Sequence, residues 1–108
     1  MYIYKITVND ECIYIGSTCN MKMRKHAHEQ HRKQAKYNHM NLYKYLNERN
    51  LTRDDIKYEV VEDFATNDKT YQRFKEQGYI NQFHPVCNMY NSMRLTDYNY
   101  YRTHNVYA

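Results

Sequence analysis

Two short β-branched and aromatic runs, separated by three polar residues, open the chain and restrict what can follow. Tyr2-Ile3-Tyr4-Lys5-Ile6-Thr7-Val8 alternates in character and favours extended backbone, so it predicts a strand. Asn9-Asp10-Glu11 is polar and turn-forming, and Cys12-Ile13-Tyr14-Ile15 predicts a second strand that Gly16-Ser17 ends. Strands joined by so short a turn pair antiparallel. Tyr2 and Tyr4 then share one face, with Tyr14 of the partner strand within reach of them.

Helical spacing takes over after Asn20, a residue suited to cap a helix, and predicts a first helix over residues 21–35. Arg24, His28 and Arg32 stand four residues apart and form one stripe along it. A second helix is predicted over residues 40–49, burying Leu42, Tyr45 and Leu46. Residues 56–61 restore a strand pattern. A third helix, from about Asn67, turns Tyr71, Phe74, Tyr79 and Ile80 inward. Gly78 within it costs about 1 kcal/mol relative to alanine, which points to close packing there. Pro85 ends the regular pattern. The predicted order is β-β-α-α-β-α, an α+β domain with a three-stranded antiparallel sheet flanked by helices.

A chain of 108 residues builds one core at most. Its 42% hydrophobic content includes 14 tyrosines, so the core must borrow tyrosine rings and methionine. A tyrosine hydroxyl needs a partner, which places some rings at the core edge or in a cleft. The formal charge of +4 suits nucleic acid without requiring it. Residues 22–36 are the concentrated part, with six Lys or Arg and three His against one Glu. A solvated helix face has the same composition.

The three cysteines, Cys12, Cys19 and Cys87, lack C-x-x-C spacing. That argues against a disulfide framework or a zinc knuckle and for an intracellular setting, with the thiols as small core residues. No apolar run reaches membrane-spanning length and no signal-peptide core is present, so no membrane partner is expected. The abundance of Lys, Asn, Tyr and Ile suits an A/T-rich genome such as that of a phage or virus acting in a host. Residues 92–108 are a Tyr-rich extension to the main domain of residues 1–91. A frayed tail, a short helix over the sheet and a base-stacking arm are its open readings.

Tyr4, Tyr14, Arg24, His28, Glu76 and Asn88 carry the chemistry as a set. Taken singly they read as core rings, a solvated helix face, a surface carboxylate and a turn former. Phosphodiester hydrolysis needs a nucleophilic water, a base, positive charge at the phosphate and a stabilised leaving oxygen. A lone carboxylate such as Glu76 can hold one Mg²⁺ or Mn²⁺ ion that keeps waters and phosphate oxygens in its shell. Arg24 offers a planar fork matched to phosphate. His28 or a tyrosine can take the proton, provided Arg24 and the metal lower a tyrosine pKa from its ordinary value near 10. Lys22, Lys25, Arg32, Lys33, Lys36 and His39 are candidate phosphate contacts, supplying affinity without base reading.

The arrangement resembles the GIY-YIG nuclease superfamily of homing endonucleases, restriction enzymes and repair nucleases. Tyr2-Ile3-Tyr4 stands at the first signature and Tyr14-Ile15-Gly16 at the second. Arg24 with His28 resembles the helix signature. Glu76-Gln77-Gly78-Tyr79-Ile80 resembles the metal-site helix, and Pro85-Val86-Cys87-Asn88 the closing segment. The first signature departs from the pattern in carrying Tyr2 where the family has Gly. The resemblance implies a single divalent ion on Glu76 and a phosphate contact from Arg24. It further implies water activation by Tyr4 with Tyr14 and His28, and support from Gly16 and Asn88. The substrate implied is duplex or branched DNA, with site selection left to the core, a homo-oligomer or a targeting partner. A catalytically inactive DNA- or RNA-binding module on the same scaffold is the alternative. The intact Tyr, Arg, His and Glu set disfavours it.

Overall fold

The computed structural model describes residues 1–88 and 92–104. Positions 89–91 of the main domain and 105–108 of the extension lie outside the described residues. The hairpin is formed by β1 (Tyr2–Val8) and β2 (Glu11–Thr18). Val8 pairs with Glu11, leaving Asn9 and Asp10 to turn the chain at φ 51° and 64°. A type I′ turn needs positive φ at both central residues, which Asn and Asp tolerate. β3 (Lys57–Asp63) pairs antiparallel on the other side of β1, so the sheet order is β2-β1-β3. Tyr14 meets Tyr4 across the hairpin, with ring centroids 6.3 Å apart, while Tyr2 lies opposite Thr18 at the far end.

Gly16 and Ser17 do not end β2, contrary to the sequence expectation. Gly16 pairs with Tyr4 and the strand runs on to Thr18. Gly16 has no positive φ, so it supplies space rather than a turn.

Helix α1 (Met21–His31) is capped as expected: the Asn20 side chain accepts the Met23 N–H at 3.1 Å. It stops short of residue 35 because tertiary bonds tie down its end. The Arg32 guanidinium donates to the Leu51 carbonyl at 2.6 Å and to Asn47 at 3.0 Å, and Asn47 donates back to the Arg32 carbonyl at 2.8 Å. Helix α2 (Asn41–Glu48) buries Leu42, Tyr43 and Leu46. Tyr45 is only half-buried, beneath the Arg49 guanidinium at 3.7 Å, and Tyr43 takes the inward place. Helix α3 (Lys69–Phe83) starts at Asp68, whose carboxylate accepts from Thr70 and Tyr71, and stops at His84 in left-handed backbone before Pro85. Phe74 and Ile80 point inward as expected. Tyr71 and Tyr79 are half-buried, and Gln77 is buried instead.

The sheet has a core on each face. Tyr4, Ile6 and Val8 pack with Leu42, Tyr43, Leu46 and Cys87. Ile3 and Ile15 pack with Ile80 of α3. The extension forms helix α4 (Leu95–His104), which rests on α3. Its Tyr98 and Tyr101 rings lie 5.0 and 4.8 Å from Phe74. A Cβ at Gly78 would lie 3.4 Å from the Tyr98 hydroxyl, an ordinary contact, so the packing there does not demand glycine. The cysteines are free, but only Cys87 is buried; Cys19 is exposed because it follows the edge strand into the cap of α1. Among the described residues no helix is long and apolar enough to cross a membrane.

Candidate active site

A cleft of about 200 Å³ opens between the sheet, α2 and α3, lined by Tyr14, His28, Tyr43, Glu76 and Asn88 among others. Tyr4 stands behind it, 1% exposed, and its hydroxyl lies 2.8 Å from His28 Nε2. Gly16 makes room for the tyrosine pair. A Cβ there would come 2.5 Å from the Tyr4 hydroxyl and 2.9 Å from the Tyr14 ring.

Glu76 reaches the cleft from α3. Its two carboxylate oxygens accept hydroxyl hydrogen bonds from Ser17 at 2.7 Å and Ser92 at 2.6 Å. Arg24 is half-buried and forms no ion pair among the described residues, yet its charge acts on Tyr4, Tyr14 and His28. Glu76 acts on the same two tyrosines with opposite sign. Among the described residues neither Arg24 nor Glu76 forms an ion pair, and both act on the same pair of phenols. Among the described residues no group of three or more His, Cys, Asp or Glu could hold a metal.

Burial, then Tyr14 beside it, pushes the Tyr4 hydroxyl far above the ordinary tyrosine value; Arg24 pulls the other way and is outweighed. Tyr14 is likewise raised, by burial and then by Glu76. Arg24 by itself does not bring either tyrosine below its ordinary value, because desolvation of the phenolate is the larger effect. Burial, with Arg24 and His31 adding to it, lowers His28 to about 4. His28 is therefore neutral at neutral pH, with one ring nitrogen donating and the other accepting.

This has a measurable consequence for stability. Between pH 6.5 and about 4 the unfolded chain binds a proton at His28 that the folded chain does not. The contribution is complete above this window and lost as pH falls through it, by roughly 3 kcal/mol in all. Urea midpoints measured across the window should fall less steeply in His28→Gln. An equal decline in the variant would show that the buried neutral imidazole is not responsible.

Asn88 closes the free edge of β2. Its side chain accepts the Ile15 N–H at 3.0 Å and donates to the Ile15 carbonyl at 2.9 Å, while Cys87 N–H donates to the Ile13 carbonyl at 2.8 Å. Asn88→Asp keeps the shape but sets an acceptor against that carbonyl. We expect it to destabilise by about 1–3 kcal/mol, read as a lower Tm. An unchanged Tm would mean that this pairing adds nothing.

The predicted phosphate contacts separate. Lys22, Lys25, Arg32 and Lys33 line one groove between α1 and β3, together with Arg53 and Lys57. Lys36 and His39 are exposed outside it. Arg32 is committed to the fold through the bonds above and to Glu29 at 3.4 Å. Tyr58 joins groove and site: it lines the groove and its ring lies 6.2 Å from those of Tyr4 and His28. Sequence reasoning missed Ser17, Ser92, Tyr43, Arg53, Lys57 and Tyr58. Ser17 stood beside Gly16 in a quoted motif, but the others carry no local signal. The chain matches no family model, no curated protein and no solved structure.

Proposed function

We propose that the chain is a metal-dependent endonuclease hydrolysing DNA phosphodiester bonds. The supporting observation is that Arg24 and Glu76 both act on Tyr4 and Tyr14 while neither forms an ion pair among the described residues. Positive charge is left for a phosphate and negative charge for a cation.

The residues present fit a Mg²⁺ or Mn²⁺ ion. Each Glu76 oxygen accepts one hydroxyl bond and keeps further lone pairs. One carboxylate completed by water and substrate phosphate is a usual binding mode for Mg²⁺. Glu76 would hold the ion, which when bound would supply charge stabilisation at the reacting phosphate. Ser17 and Ser92 orient the carboxylate. Arg24 binds a non-bridging phosphate oxygen, the role its fork geometry suits. Tyr14 faces the cleft and orients the attacking water, whose proton passes to Tyr4 and His28. Asn88 holds β2 in place beneath them. The basic groove of Lys22, Lys25, Lys33, Arg53 and Lys57 attracts DNA through its phosphates, making affinity salt-dependent.

The test is incubation of the purified protein with supercoiled plasmid, with and without Mg²⁺ or Mn²⁺. Metal-dependent nicking or linearisation is expected. A gel shift without cutting on plasmid or on branched DNA would support a binding module instead and overturn the nuclease reading.

A further inference from the structure

From Tyr4 behind the cleft, past His28 and Tyr43 in its lining, four side chains form a continuous line to His31 nearer the surface. Tyr4 Oη lies 2.8 Å from His28 Nε2, His28 Nδ1 lies 2.8 Å from Tyr43 Oη, and Tyr43 Oη lies 3.4 Å from His31 Nδ1. Tyr4, His28 and Tyr43 expose only 1%, 5% and 2% of their surface. Outside the cleft, to whose lining His28 and Tyr43 contribute, none of them opens to bulk solvent. His31 is half-buried, stacked on Tyr37 at 4.2 Å, and is the first member with access to solvent.

We propose that this line is a proton exit for the cleavage reaction, in which Tyr43 and His31 carry the proton of the attacking water from the Tyr4–His28 pair to the surface. The proposal rests on the nuclease reading. In one concerted shift the O–H bond of the attacking water breaks, and its proton joins Tyr4 Oη. The hydroxyl proton of Tyr4 passes to His28 Nε2, the Nδ1 proton of His28 to Tyr43 Oη, and the hydroxyl proton of Tyr43 to His31 Nδ1. The electron pair left on the water oxygen forms the new bond to phosphorus. The bond from phosphorus to the leaving sugar oxygen breaks with its pair, and that oxygen takes a proton from solvent. His31 ends protonated and releases a proton to water.

Neither a free phenolate nor a charged His28 is formed at any point. That matters because burial opposes both: it raises Tyr4 and lowers His28 to about 4. A relay that only exchanges protons among neutral buried groups avoids the cost of buried charge. The two neutral tautomers of His28 give two orders of donors and acceptors along this line. Only the order with the His28 proton on Nδ1 lets Tyr4 hand its proton over.

Two measurements test this. Nitrogen-15 NMR of the His28 ring should find the proton on Nδ1 and a bare, accepting Nε2; a resting Nε2–H tautomer would overturn the relay. Single-turnover DNA cleavage should slow on the order of ten- to a hundredfold in Tyr43→Phe and in His31→Gln, with DNA affinity unchanged. Added imidazole should restore His31→Ala, since that end is open to solvent. Wild-type cleavage rates in both Tyr43→Phe and His31→Gln would overturn it. If Tyr43→Phe fails to fold, the His31 variants decide, because their site is at the surface. A wild type that cuts no DNA defeats the nuclease reading, whereas the NMR result still decides the direction of the hydrogen bonds.

Discussion

Glu76→Gln is expected to lose DNA cleavage by about a thousandfold or more, the loss of several kcal/mol of transition-state stabilisation, while keeping the fold. Glutamine has the same shape as glutamate. Its carbonyl oxygen can still accept one of the two serine hydroxyls, and its amide can donate to the other. What disappears is the negative charge that would hold a divalent cation. Gel shifts should show DNA binding retained, because Arg24 and the groove lysines are untouched. Plasmid nicking in Mg²⁺ and in Mn²⁺ measures the loss. Wild-type rates in the variant would remove Glu76 from the site, and a lowered Tm would point to a structural part for the carboxylate.

Gly16→Ala should be the most damaging small substitution in the chain. The added carbon would sit 2.5 Å from the Tyr4 hydroxyl oxygen, 2.6 Å from Tyr4 Cζ and 2.9 Å from Tyr14 Cε2. None of these can yield easily. Tyr4 is held by His28, the Tyr14 ring packs 5.9 Å from the same imidazole, and the backbone is fixed by pairing with β1. Overpacking of this kind costs about 1–3 kcal/mol, a fall of roughly 4–8 °C in Tm for each kcal/mol in a domain this size. Activity should fall further than stability alone explains, since the clash displaces the Tyr4–His28 bond. A variant with unchanged Tm and activity would show that the tyrosine pair rearranges freely around this position.

The two experiments probe different parts of the site. Glu76 lies at the cleft and its loss removes charge without moving atoms. Gly16 lies under the rings and its change moves atoms without altering charge. A nuclease built as proposed is sensitive to both, whereas a binding module on the same scaffold tolerates the first.

Much of the fold was legible in local sequence. Alternation over Tyr2–Val8 marked the central strand, and Asn9-Asp10 is a pair able to take the left-handed backbone of a tight hairpin. Asn20 supplied the cap of α1, and the order of elements followed. These properties depend on residues within a few positions of one another, so spacing and residue type suffice to determine them. The tyrosines, Arg24, His28, Glu76 and Asn88 could likewise be singled out as a set.

What they meet was decided by tertiary structure. Gly16 reads as a strand end until the rings of Tyr4 and Tyr14 are placed over it. Tyr43 displaces Tyr45 as the buried ring because His28, fifteen residues away, supplies its hydrogen-bond partner. α1 ends early because Arg32 is drawn to Leu51, and Glu76 finds its serines on β2 and beyond Asn88. Above all, the proton affinities of Tyr4 and His28 were shifted by desolvation, whose sign follows from the side chain but whose size depends on everything packed around it. Local backbone preference acts between near neighbours and is written in the chain; burial and long-range hydrogen bonds exist only once distant segments have come together.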